Sequence, residues 1–177
     1  GEYQNLETFD SKSYAEKGKP PQYEDENTNP YIAAFWKWWP DLSKDLIELR
    51  ITGGEPLMSS DVWQLFEELK KPENHHIRFA INSNLGAAPR LISRLIEQSH
   101  QLKHLEVYTS NESIGPQAEY IRDGLVYETW IKNCKSLITK GKVDQLHIMM
   151  TINILCLDGL TDLFDEILSW RKQLNRW

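Results

Sequence analysis

The chain has 177 residues, enough for one domain with a core of its own. Hydrophobic residues make up 40% and charged residues 26%, an ordinary balance for a globular protein. A net charge of -6 argues against a nucleic-acid backbone as main partner, and no apolar run is long enough to cross a bilayer. The expectation is therefore a cytoplasmic protein with neither nucleic acid nor membrane as partner, since no signal-peptide pattern opens the chain.

Residues Gly1 to Pro30 are polar, and Pro20-Pro21 and Asn29-Pro30 interrupt any regular pattern, so this stretch reads as a loop or arm. Tyr31, Phe35, Trp36, Trp38 and Trp39 then crowd a short span bracketed by Pro30 and Pro40, which predicts a helix between the two prolines. Its aromatic side suits sealing an edge of the fold better than a stacking platform, because tryptophan this dense is mostly buried.

The stretch from Ile47 to Leu57 carries the strongest local signal. A short aliphatic strand runs into Gly53-Gly54, then Glu55, then Pro56, and a helical pattern opens from Ser59 or Ser60. Two glycines permit backbone dihedrals closed to other residues and let a ligand approach the main chain. Pro56 confines Glu55 to extended conformations, so an acid is held at the carboxyl end of a strand.

Val62, Leu65, Phe66 and Leu69 recur at helical spacing, and Pro72 and Asn74 end that helix. His75 and His76 point in different directions on either a helix or a strand and suit a solvated turn. Ile77 to Ile81 reads as a second strand running into Asn82-Ser83-Asn84, with a helix from about Pro89 through Leu91, Ile92, Leu95 and Ile96. Leu105 to Tyr108 reads as a third strand, followed by helical patterns over Ala118 to Ile121 and Trp130 to Ile138. Lys140-Gly141-Lys142 resembles a helix C-cap. Leu146 to Ile152 reads as a fourth strand ending in Asn153, and a last helix carries Leu160, Leu163, Phe164, Ile167, Leu168 and Trp170.

This is strand and helix repeated four times, which predicts an α/β fold of parallel strands joined by right-handed crossovers. The strands read as near-continuous apolar runs, as when helices cover both faces or a barrel closes. The expected division is 1–45 as polar arm plus aromatic helix and 46–177 as the α/β unit. In a parallel sheet the polar strand ends share one edge, where a polar ligand would bind. Cys134 and Cys156 match no disulfide, zinc or iron–sulfur spacing and read as core thiols.

A strand ending in Gly53-Gly54-Glu55-Pro56 resembles the second strand of radical S-adenosylmethionine enzymes. The match runs from about Leu46 to Trp170 and implies a fragment of a partial (βα)6 barrel. In that family the backbone of this turn, supported by the acid, holds the amino group of the methionine moiety. Ile81-Asn82-Ser83-Asn84 stands where the family has a Thr-Asn-Gly-like segment, so Ser83 and Asn84 are candidate cofactor contacts. Ser110-Asn111-Glu112 and Glu119-Tyr120-Ile121-Arg122 resemble the fourth strand and its sequel. Ser110 would contact the ribose, and Arg122 would pair with the methionine carboxylate, as a guanidinium fork can. Thr151-Ile152-Asn153 resembles the fifth-strand end near the adenosine. The Glu-Tyr-Ile-Arg pattern is most similar to subfamilies with a twitch or SPASM-type auxiliary domain.

The resemblance implies S-adenosylmethionine and a 4Fe–4S cluster as cofactors. The cluster's electron would cleave the sulfonium and yield a 5′-deoxyadenosyl radical that abstracts hydrogen from a substrate the sequence does not identify. The Cys-x-x-x-Cys-x-x-Cys loop that holds the cluster is not in the chain, and no sixth strand follows the last helix. The expectation is a fragment that is inactive alone. The rival reading is a cluster-less, barrel-derived module binding a nucleotide or a protein. A hydrolase or phosphate-binding domain is disfavoured, as no nucleophile elbow, Walker loop or dinucleotide fingerprint occurs.

Overall fold

A computed structural model describes residues 29–174. The polar arm expected over Gly1 to Pro30 lies, as far as residue 28, outside the described residues. The chain divides into two compact units, Gly1–Leu42 and Ser43–Trp177.

Helix α1, Pro30–Asp45, begins in the first unit and ends in the second. It does not stop at Pro40, where the sequence pattern predicts its end; Pro40 lies inside it. Proline removes one backbone donor there, but its fixed φ is close to the helical value, so the chain continues at a cost of roughly 3 kcal/mol. Within the first unit Phe35, Trp36 and Trp39 form an aromatic cluster, with centroids 5.2 Å apart for Phe35 and Trp36 and 6.2 Å for Trp36 and Trp39. Trp39 is buried, whereas Tyr31 and Trp38 are exposed.

The second unit is an α/β unit built on one four-stranded sheet. The strands are β1 (Glu48–Ile51), β2 (Arg78–Asn82), β3 (Leu105–Ser110) and β4 (Gln145–Met149), in spatial order β1-β2-β3-β4. All three ladders are parallel. The connections carry helices α2 (Ser60–Leu69), α3 (Pro89–Ser99), α4 (Gly115–Ile121) and α5 (Tyr127–Lys140), and α6 (Leu157–Leu174) follows β4. Short 3-10 turns lie at Pro56–Met58, Pro72–Asn74 and Ile154–Cys156.

The sheet has two unlike faces. The register aligns Ile51 with Ile81, Val107 and Leu146, and Phe79 with Leu105, and helices cover this apolar face. Phe66 of α2 meets Phe79 edge-on at 5.2 Å, and the Trp130 indole of α5 donates to Thr109 Oγ1 at 3.0 Å. Phe66, Phe79 and Trp130 are fully buried, and truncating any of them to alanine would cost about 3–5 kcal/mol. Sequential strand order with right-handed crossovers puts successive helices on the same side of a sheet, which is why one face is so thoroughly covered.

The other face is polar, contrary to the expectation of near-continuous apolar runs. β1, β3 and β4 alternate, as Glu48-Leu49-Arg50-Ile51, Leu105-Glu106-Val107-Tyr108-Thr109-Ser110 and Gln145-Leu146-His147-Ile148-Met149. Such alternation marks a sheet packed on one side only. Ala80 sits between Arg50 and Glu106 in the register and offers only a methyl group. Arg50 therefore reaches across β2, its guanidinium 4.2 Å from the Tyr108 ring centroid and its Nη2 donating to the Tyr108 hydroxyl at 3.0 Å. His147 stacks on the same ring at 4.2 Å. Glu106 accepts from Arg78 Nη2 at 2.8 Å and from the Tyr108 hydroxyl at 3.0 Å, and His147 Nε2 lies 3.2 Å from its Oε2. These bonds, that from Arg78 first, hold the Glu106 carboxyl below its usual range.

One boundary and one cap geometry differ from the sequence reading. β4 ends at Met149 rather than Ile152. Gly141 caps α5, at the position the sequence pattern predicts, but with φ of -86°, so this is no left-handed cap. Glycine is needed there for space, since a Cβ would stand 2.6 Å from the Leu137 carbonyl oxygen. Cys134 and Cys156 are both free and buried, as core thiols should be. Burial raises the Cys134 thiol far above its ordinary value.

Candidate binding rim at the strand tips

Because the four strands are parallel and adjacent, their carboxyl ends share one edge. Gly53-Gly54-Glu55 follows β1, Ser83-Asn84 follows β2, Ser110 closes β3 and Asn153 follows β4. The sequence expectation that these groups line one rim agrees with that topology.

The glycine pair is built as its composition predicts. Gly53 has φ of +91° and Gly54 φ of +45°, both in the left-handed region. A Cβ at either position would meet nothing within 4 Å, so the main chain there is open to approach. Glu55 follows in extended backbone, φ -117° and ψ 98°, as the residue before a proline should. Pro56 is buried and starts the 3-10 turn, and the carbonyl of Leu57 accepts the Trp63 indole at 2.9 Å, so the turn is pinned to α2.

Glu55 ties two strand tips together. Its carboxylate accepts from Ser83 Oγ at 2.9 Å and from the backbone N–H of Asn84 at 3.0 Å. The same group accepts from the backbone N–H of Leu57 at 3.2 Å. Ser83 Oγ also accepts from the Leu85 N–H at 3.1 Å, and Asn84 Oδ1 from that of Gly86 at 2.7 Å. Leu85 is fully buried with φ of +52°, a strained conformation for a residue with a side chain, costing about 1 kcal/mol. The carbonyl of Leu85 accepts from Asn133 Nδ2 at 2.6 Å, which locks the strained turn to α5. Sequence reading missed Leu85 and Asn133; a buried leucine between Asn84 and Gly86 was the available signal.

Arg122 sits just past α4 and forms a two-pronged pair with Glu112: Nε donates to Oε2 at 2.6 Å and Nη2 to Oε1 at 2.5 Å. Glu112 is only 2% exposed and also accepts from the Thr151 N–H at 3.2 Å. The guanidinium fork predicted for a ligand carboxylate thus holds a carboxylate of the protein and links the segments beyond β3 and β4. Glu112 was not singled out in the sequence, because its partners are ten and thirty-nine residues away.

Asn153 is likewise engaged locally, donating from Nδ2 to the Thr151 carbonyl at 3.0 Å and accepting from the Leu155 N–H at 2.9 Å. Ser110 lies half-exposed on the polar face, paired in register with Met149. Among the described residues, two buried amide atoms at neighbouring tips have no hydrogen-bond partner, Asn82 Oδ1 at the end of β2 and Asn111 Nδ2 just past β3. An unpartnered buried polar atom costs about 1–3 kcal/mol.

The rim can therefore offer open glycine backbone and a serine hydroxyl, and its acid and arginine serve as struts. Among the described residues no cluster of three or more His, Cys, Asp or Glu side chains could hold a metal ion. Among them also, no helix is long and apolar enough to cross a membrane. No protein-family model and no curated protein matches the chain.

Proposed function

We propose that the second unit is part of the barrel core of a radical S-adenosylmethionine enzyme, an arc of four βα units whose strand tips seat the amino-acid end of the cofactor. The observation that carries this reading is the Gly53-Gly54-Glu55-Pro56 turn at the tip of the first parallel strand. Its two left-handed glycines are open, and its acid is braced against the neighbouring strand tip. An ammonium group bound there would meet backbone carbonyls with no side chain intervening. Ser110, half-exposed at the tip of β3, would meet the ribose.

The residues present do not fit the cluster. Cys134 and Cys156 are both buried core thiols, and no described site gathers metal ligands. No electron-transfer step is therefore assigned to this chain, and its proposed contribution is binding and orientation of the cofactor. Arg122 can reach a ligand carboxylate only by sharing its fork with Glu112. Releasing a carboxylate that is 2% exposed would leave a buried charge unpaired. The reading thus assigns Arg122 first to the frame of the rim. The alternative, a cluster-less module for a nucleotide, uses the same open backbone and differs in needing no sulfonium.

Equilibrium titration tests the reading. The 177-residue chain should bind S-adenosylmethionine, and Glu55→Ala should weaken that binding. Equal affinity for adenosine alone would favour the nucleotide module, and no binding of either would remove both readings.

A further inference from the structure

Below the rim, the polar face of the sheet carries a second group of side chains that the proposed cofactor seat does not use. Tyr108 and Ser110 lie on this face two residues apart, so Tyr108 sits roughly 7 Å beneath the rim. The Arg50 guanidinium reaches the Tyr108 ring from β1 and the His147 ring stacks on it from β4, each 4.2 Å from its centroid. Because β1 and β4 lie on opposite sides of β3, the two groups flank one tyrosine. Arg50 is exposed and the His147 side chain is 34% exposed, so a ligand lying across the tyrosine can touch both.

Their partners fix what each can offer. Glu106 accepts from Arg78, Tyr108 and His147 and stays ionised. An ionised carboxylate can only accept, so the hydrogen of His147 sits on Nε2 and its lone pair on Nδ1, which no group among the described residues bonds. The Tyr108 hydroxyl is fully engaged, donating to Glu106 and accepting from Arg50. Among the described residues Arg50 donates only from Nη2, and its 3.3 Å contact with Glu48 joins two exposed groups and is worth little. One basic nitrogen and one guanidinium therefore remain for a ligand. Arg50 and Arg78 balance Glu48 and Glu106 on this face, which suits a ligand of single negative charge. A carboxylate has that charge and matches the guanidinium fork. Hydrogens on oxygen or nitrogen exchange with water unaided, whereas one on carbon needs a positioned base and a carbonyl beside it to take the charge.

We propose that the polar face seats a short oxo acid, with Arg50 anchoring its carboxylate and His147 Nδ1 accepting the hydrogen on the carbon beside its carbonyl. The proton passes to Nδ1, and the electron pair of the C–H bond stays on the substrate as an enolate. Glu106 faces the resulting imidazolium and fixes the tautomer without touching substrate, so it is a positioning residue. The transfer involves no cofactor, and the proposal is independent of what the rim binds.

The test incubates the full chain with pyruvate in deuterium oxide and follows loss of the methyl proton signal by NMR. Saturable exchange is expected, about tenfold or more faster than with equimolar imidazole, and His147→Gln should slow it about a hundredfold. Arg50→Lys should raise the half-saturating pyruvate concentration about tenfold at an unchanged maximal rate. Glu106→Gln should lower the maximal rate about tenfold without moving half-saturation, a split that a purely structural role would not give. Nitrogen-15 shifts of the His147 ring in the unsubstituted chain check the tautomer even if Glu106→Gln does not fold. Exchange no faster than with imidazole would overturn the proposal, as would undiminished exchange by His147→Gln, saturable binding of pyruvate without exchange, or a His147 hydrogen found on Nδ1.

Discussion

Glu55 and Ser83 clasp the tips of two adjacent strands, with the hydroxyl of Ser83 2.9 Å from one carboxylate oxygen of Glu55 and 3.1 Å from the other. The acid of the glycine turn thus fixes the neighbouring turn, where Leu85 is held in a left-handed conformation. Ser83→Ala should cost about 1–2 kcal/mol in urea unfolding, because it removes a hydroxyl that donates to Glu55 and accepts from the Leu85 N–H. Glu55→Ala should cost at least as much. In a double-mutant cycle the two should couple, and strict additivity would show that the clasp carries no energy.

Arg122 and Glu112 make the second strut. Arg122→Ala strands a carboxylate that is 2% exposed and should destabilise the chain by about 3 kcal/mol. Arg122→Ala combined with Glu112→Gln should recover part of that loss, since the buried charge goes with its partner. If Arg122→Ala leaves the urea midpoint unchanged, the pair is no strut and the guanidinium is available to a ligand.

Stability should fall at both ends of the pH scale for different reasons. The Glu106 carboxyl is held low, first by its bond from Arg78, so its contribution is present above the ordinary carboxylate value. That contribution is lost as pH drops below about 4.5. Tyr127 is buried, and loss of water raises its phenol to about 12. Its folded form therefore holds its proton more tightly, and stability is lost as pH rises from 10 to about 12. Thermal unfolding across pH should show a flatter acid limb for Glu106→Gln and a flatter alkaline limb for Tyr127→Phe.

Gly159 lies in the first turn of α6, and a Cβ there would fall onto Ser113 Oγ and Gln117 Oε1, which are bonded to each other at 2.5 Å. Gly159→Ala should cost about 1–3 kcal/mol despite alanine's better helix propensity. A stabilised variant, read from the melting temperature, would mean that α6 can shift off the segment beyond β3.

Strand and helix order was legible in the sequence because each element keeps its own hydrophobic period over several residues. The left-handed glycines and the extended Glu55 were legible too, since they follow from what glycine and proline permit. The helix through Pro40 was not, because an aromatic run followed by proline reads equally as an ending. The polar face was written in the alternation of β1, β3 and β4. It was obscured by β2, where Phe79-Ala80-Ile81 is continuous and buried. The clasps of Glu55 with Ser83 and Arg122 with Glu112 were hidden for another reason. They join residues twenty-eight and ten positions apart; strand register brings Glu55 to Ser83, and the short helix α4 brings Arg122 back to Glu112.

The most direct measurement is an amide-resolved NMR titration of the chain with S-adenosylmethionine. Shifts at Gly53, Gly54, Ser83, Ser110 and Asn153 should saturate together with one dissociation constant. Gly54→Ala should abolish them, whereas Gly124→Ala, at another left-handed glycine with open space, should leave them intact. An unchanged spectrum, or shifts gathered away from the strand tips, would contradict the account.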